Sequence, residues 1–176
     1  MRLSQSRRAL RAKAVALETV ILFWAGGVLF AIAADSVEEI REVAGLQKLS
    51  LGVAHQKFAK VTHTLASDGQ NHFVVDACAH FGMRSGQGSR LMVLRHAAAA
   101  VMVDAVDRMQ DIHSIQALPV AFRGEERSWY RGLTIVKGKV VPLVQPEAFL
   151  TRAEASLLQA ALRAGETTAR SVAVTA

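Results

Sequence analysis

Six histidines (His55, His63, His72, His80, His96 and His113) and one cysteine, Cys78, are the first side chains to weigh for metal or nucleophilic chemistry. None of the histidines falls into H-x3-H or H-E-x-x-H spacing, and a lone cysteine cannot complete a zinc cluster, so no metal or other cofactor is expected. Cys78 cannot form an internal disulfide, which fits a reducing compartment, and it reads as a small core residue. Glu38/Glu39 and Asp104/Asp107 are paired carboxylates of the kind that could share acid and base roles. Strand faces and turns routinely carry such pairs for solubility. The "GMRSGQG" of Gly82 to Gly88 lacks the Lys-Ser/Thr of a phosphate loop and reads as a linker. Trp129-Tyr130-Arg131 sets aromatics beside a basic residue, as a base-stacking surface would, yet it opens the strand-like "YRGLTIV" and reads as core packing. With no catalytic constellation, the expectation is a non-enzymatic protein that works by binding.

The elements that must position any binding residue start with "VILFWAGGVLFAIAAD", Val20 to Asp35, behind a basic leader. A basic stretch, an apolar stretch and "AIA" before Ala34 together resemble an export signal. The uncharged run from Thr19 to Ala34 is shorter than the ~18–20 residues of a membrane-crossing helix. The competing reading breaks the run at Gly26-Gly27, where glycines allow a tight turn, and predicts a hairpin of Val20 to Trp24 and Val28 to Ile32.

An ungapped offset of 69 residues brings two halves of the chain into register. Leu22 meets Leu91, Ile32 meets Val101, and "DSVEEI" from Asp35 meets "DAVDRM" from Asp104. Later, Gly69 meets Gly138 and "FVVDACAHF" from Phe73 meets "PLVQPEAFL" from Pro142. The second copy of the apolar run, "LMVLRHAAAAVMV", has Arg95 and His96 in its middle, which suit a hairpin tip and not a membrane span. A duplicated β unit follows, with "RSGQGS" at 84–89 as the linker between halves. After it, Thr151 and Glu154 make a capping box for a helix from Arg152 to about Ala164, with Leu157, Leu158, Ala161 and Leu162 as its apolar stripe and Gly165 as its stop. The expected layout is a basic arm (1–18), a β domain (19–150), a C-terminal helix (151–165) and a loose tail (166–176).

The net charge of +6 does not describe the body of the protein. Arg2, Arg7, Arg8, Arg11 and Lys13 supply five of the positive charges, leaving 16 basic and 15 acidic residues in the remaining chain. A nucleic-acid partner is therefore not expected.

The ordered motifs resemble the CheW family, the coupling proteins of bacterial chemosensory arrays. "LMVLRHAAAAVMVDAV" is similar to its strand-strand-VD-x-V segment, and "YRGLTIVKGKVVPLVQPEAFL" to its closing hairpin and short helix. "VEEIREV" resembles the V-x-E-I motif, and Gly69, Val74, Val75, Asp76, Phe81 and Gly82 match a pattern of N-L-R-G, V-V-D and L-F-G. The resemblance implies an all-β fold with minor helices: two intertwined five-stranded SH3-like barrels, with the C-terminal helix added. It further implies a cytoplasmic adaptor that bridges a chemoreceptor tip to the regulatory domain of a CheA-type histidine kinase, without enzymatic activity or membrane insertion. By matching positions, Val37, Glu39 and Ile40 would fall near the receptor groove, with Asp68 and Gly69 beside them. Gly132 and the hairpin at Gly138 would mark the kinase-array surface. Asp68 stands where the family has arginine, and the family's Pro and Gly before that motif are missing, which implies a specialised coupling protein for a divergent receptor or pilus-type system. The alternative is an exported or tethered β protein that uses residues 1–33 as its signal.

Overall fold

The apolar run is buried on both of its faces, and that is why it looks like a signal. The computed structural model describes residues 17–49, 58–67, 69–84, 86 and 88–173, with 165–173 as backbone alone. Strands β1 (Glu18–Ala25) and β2 (Val28–Ala33) pair antiparallel from Val20↔Ala33 to Ala25↔Val28. Gly26 and Gly27 take the turn at φ 56° and 80°. Val20 and Leu22 enter one buried cluster with Ile112, Val136, Val141 and Leu143, while Ile21, Phe23 and Ala25 enter another with Phe73, Val75, Met92 and Phe149. A strand buried on both sides loses the polar half of its alternation. Cleavage near Ala34 would remove this hairpin, whose large buried side chains each contribute about 1.5–3 kcal/mol. The hairpin is thus structural, and cleavage near Ala34 is incompatible with this fold. The strand also begins at Glu18, inside the stretch expected as the arm; the leader before Leu17 lies outside the described residues.

The first half continues with β3 (Val37–Glu42), β4 (Leu46–Lys48), β5 (Val61–Ser67), β6 (Gln70–Asp76) and the short helix α1 (Ala77–His80). The second comprises β7 (Arg90–Leu94), β8 (Ala99–Val103), β9 (Ala105–Ile112), β10 (Tyr130–Val136), β11 (Lys139–Val144) and a 3-10 turn at Pro146–Ala148. Helix α2 (Arg152–Ala173) follows.

The two halves exchange their hairpins. One sheet runs β10-β11-β2-β1-β9, so the first half's hairpin sits among second-half strands; the other runs β3-β7-β8-β6-β5-β4, the reverse arrangement. Each sheet has five strands in essence, because β3 and β4 are one strand bent at Val43–Gly45. Bridges at repeat-equivalent positions close both barrels: Gln47↔Thr64 in the first and Gln116↔Leu133 in the second. The parallel joins also match, Leu143↔Ala31 against Val74↔Ala100. Between the barrels lies the large shared cluster, and each barrel has its own interior cluster.

The ungapped offset needs one correction. Ile21↔Ile32 corresponds to Met92↔Val101, so β1 and β7 are related by 71 residues and not 69, and Leu22 is equivalent to Val93, not Leu91. The second hairpin is two residues shorter. A shift of two leaves every side chain on its own face, so the hydrophobic pattern concealed it.

Helix α2 also departs from expectation. Its capping box is present: Thr151 N–H donates to Glu154 Oε2 at 2.8 Å and Glu154 N–H donates to Thr151 Oγ1 at 3.2 Å. The helix runs through Gly165 to Ala173, so Gly165 is no stop and the expected loose tail is helical as far as Ala173. Interior glycine costs a helix only about 1 kcal/mol relative to alanine, and no proline follows to end it. The packed stripe is Ala155, Leu158, Ala161 and Leu162, with Leu157 51% exposed. Lys60 Nζ, 2.8 Å from Glu154 Oε1, ties the helix to the first half.

The stretch at 84–89 is more than a spacer in its described residues. A Cβ on Gly86 would stand 2.0 Å from an Asp104 carboxylate oxygen, and one on Gly88 would stand 2.4 Å from Met102. Ser85 and Gln87 lie outside the described residues.

Candidate binding surfaces

Each barrel opens at the end where the exchanged hairpin turns, and each opening is a concave mouth. The mouth of the β3–β8 barrel encloses about 380 Å³. Glu38 and Glu39 on β3, Ser67 and Gln70 at the β5–β6 turn, His72 on β6 and Arg95 at the β7–β8 tip surround it. Arg95 shapes this mouth. Its backbone N–H donates to Ser36 O at 2.9 Å, and its guanidinium donates to Asp35 O at 3.0 Å and Val37 O at 3.4 Å. The tip of the second half's hairpin is thereby clamped onto the segment that delivers Val37 and Glu39.

The expected partner residues divide by exposure. Val37 is 6% exposed and belongs to the shared core, so its apolar type serves the fold. Glu39, with 46% of its side chain exposed and Arg41 3.9 Å away, borders the mouth. Ile40, 42% exposed, is an outward apolar residue on the same strand. A β-bulge between Val37 and Glu39 turns this segment. Gly69 sits at the exposed β5–β6 turn with φ 75°, whereas Asp68 lies outside the described residues.

Gly132 and Gly138 are on the other barrel. Gly138, exposed with φ 77°, forms the β10–β11 turn together with Lys137 at φ 49°. Gly132 is buried beneath the barrel closure: a Cβ there would lie 2.5 Å from Gln116 O and 2.6 Å from Ile115 Cγ2. It has no surface to offer a partner, because its lack of a side chain is what lets the strands meet.

The mouth of the β9–β11 barrel is larger, about 560 Å³, and apolar. Trp24, Val28, Leu29 and Val140 line it, with Arg108, Lys137 and Lys139 around them. In the sequence Trp24 ends one predicted hairpin arm, and the hairpin at Gly138 lies far along the chain from it. Neither sequence distance nor a motif links them; the fold's exchange of hairpins does.

No catalytic arrangement emerges among the described residues. Burial, with Asp104 and Asp76 nearby, holds the Cys78 thiol above its ordinary pKa, which disfavours the nucleophilic thiolate. Asp76 caps α1, accepting from the N–H of Cys78 at 2.8 Å and of Ala79 at 3.3 Å. Trp129 packs on His80 and Phe81, as expected for core aromatics. His80 itself is buried against Phe81, Trp129 and Phe149. No group of three or more His, Cys, Asp or Glu residues suited to a metal occurs among the described residues. No helix there is long and apolar enough to cross a membrane.

A duplicated pair of β barrels, with exchanged hairpins and two concave mouths, defines a binding scaffold. The model of the CheW-like domain matches residues 19–154, and the chain belongs to that family. Its fold is similar to that of the scaffolding protein TtCheW from Thermoanaerobacter tengcongensis, with a TM-score of 0.65 and 17% identity over 77% of this chain and 94% of that one. No curated protein matches the chain. The family is one of scaffold proteins of chemotaxis signalling.

Proposed function

We propose that this protein is a cytoplasmic adaptor that couples a chemoreceptor tip to the regulatory domain of a CheA-type histidine kinase. The observation that carries the reading is the family match across both barrels, 19–154, with two separate concave mouths available for two partners. Coupling of this kind is a binding free energy shared between sites, which a rigid β scaffold can transmit without chemistry of its own. The polar mouth bounded by Glu39 and the Ser67–Gln70 turn is the receptor-facing side, and exposed Ile40 on the same strand adds an apolar contact beside it. The hairpin at Gly138 belongs to the kinase-facing side. Asp68, in place of the family's arginine, adapts the receptor side to a divergent receptor or a pilus-type array.

Calorimetry of the full chain with the cognate kinase regulatory domain and the cognate receptor tip is the test. Binding to each is expected, with Glu39→Arg lowering receptor affinity by about tenfold or more, in the range seen for interface charges. Folded protein that binds neither partner overturns the reading. Val37→Asp is a poor probe of the site, since it would bury a carboxylate in the shared core.

A further inference from the structure

Helix α2 adds a recess to the family domain. The family match ends at residue 154, within the first turn of α2, so Gln159, Leu162 and Arg163 lie beyond it. These three line one side of a recess of about 440 Å³, and Thr64 on β5 with Asn71 and Phe73 on β6 line the other. Gln159 and Arg163 stand at i and i+4, one above the other on the same side of the helix. Thr64 pairs directly with Phe73 across the hairpin, and Asn71, two residues along β6, shares their face. Phe73 belongs to the shared core and Leu162 packs against it, so the floor of the recess is the apolar edge of that core.

We propose that this recess binds a small organic carboxylate with an apolar body. Arg163 brings the lining a full positive charge, and no Asp or Glu stands among its described residues. A guanidinium with a carboxamide N–H beside it, here that of Gln159, is a donor set matched to the two oxygens of a carboxylate. An amine would meet the same guanidinium with no acid in the lining to offset the repulsion. Phe73 and Leu162 give the apolar body its floor, and the Thr64 hydroxyl and Asn71 carboxamide supply polar contacts at the wall. The volume falls in the range of small-molecule sites, about 300–1,000 Å³. A compact ligand therefore suits it better than a peptide, which needs an extended groove or a free strand edge.

The test is titration of the full chain with benzoate and with hexanoate, followed by proton–nitrogen correlation NMR, with acetate and benzylamine as comparison ligands. Benzoate or hexanoate should shift the amides of Asn71, Phe73, Gln159 and Leu162 to saturation. Arg163→Met should lower that affinity about tenfold or more, as loss of a hydrogen bond to a charged group does. Arg163→Lys, which keeps the charge and loses the planar fork, should recover only part of it. Acetate, which has no apolar body to bury, should bind about tenfold more weakly or less tightly still. Benzylamine should leave these amides unmoved. The dispersion of each variant's spectrum checks that it is folded. Absence of a saturable shift at these amides with both probes overturns the assignment. So does equal affinity in the wild type and Arg163→Met, or binding of benzylamine as tight as that of benzoate. Shifts confined to the mouth at Trp24 would place the ligand elsewhere and overturn it as well. The adaptor reading stands or falls separately, by the titrations with kinase domain and receptor tip.

Discussion

His80 shows how a polar residue placed in a core becomes a source of pH dependence. Its ring centroid lies 4.9–5.0 Å from those of Phe81, Trp129 and Phe149, and its Nε2 has no hydrogen-bond partner. Burial, reinforced by the positive charge of Lys60 and only partly opposed by Glu154, lowers its pKa to about 4. Between the unfolded value of 6.5 and about 4, the unfolded chain binds a proton that the folded chain does not. Stability is therefore full above pH 6.5 and falls as the pH drops toward 4, by up to roughly 3 kcal/mol at 1.36 kcal/mol per unit. Thermal denaturation between pH 7 and 4 should show this slope, and His80→Phe should flatten it. An unchanged slope in the variant would place the effect elsewhere. Gly132 makes a second prediction at this scale. Gly132→Ala should destabilise by about 1–3 kcal/mol in urea denaturation, as overpacking does, by forcing a methyl into the closing bridge. Stability equal to the wild type would show that the closure yields. A glycine in "YRGLTIV" was visible in the sequence. What it touches was not, because Gln116 and Ile115 meet it only across a closed barrel.

Helix α2 carries the next prediction. Leu158 is fully buried against the shared core, with Ala155, Ala161 and Leu162 beside it. Leu158→Ala should lower stability by about 2–5 kcal/mol, the range for a buried leucine truncation. Hydrogen exchange should show α2 amides losing more protection than those of β1, since the Thr151–Glu154 cap and the Lys60 ion pair leave the helix only a narrow attachment. Equal loss throughout would mean that the helix and barrels unfold as one unit. The helix start was legible because a capping box is local chemistry. Its end was misjudged because glycine is only a modest cost to a helix, and Leu157 was wrongly included because four adjacent apolar positions do not say which edge of the stripe meets the core.

Exchange of the hairpins governs the whole molecule. Each barrel takes two strands from the opposite half, so neither half contains a complete sheet. Residues 1–84 and 88–176 produced as separate chains should each be unfolded by far-ultraviolet circular dichroism, and mixing them should restore the β spectrum. A half that folds by itself would require a barrel closed by its own hairpin. The sequence by itself determined the duplication, the hairpins and their turns, and the start of the final helix, because these rest on short-range pattern: alternation, glycine turns and a capping box. The motif order also led to the family. Only the tertiary structure decided that β1 is buried on both faces, that Val37 and Gly132 are core positions while Glu39 and Ile40 face outward, and that Trp24 stands beside Lys137 and Lys139. Those facts depend on which strands pair across the chain, and pairing through exchanged hairpins joins residues that no local pattern links.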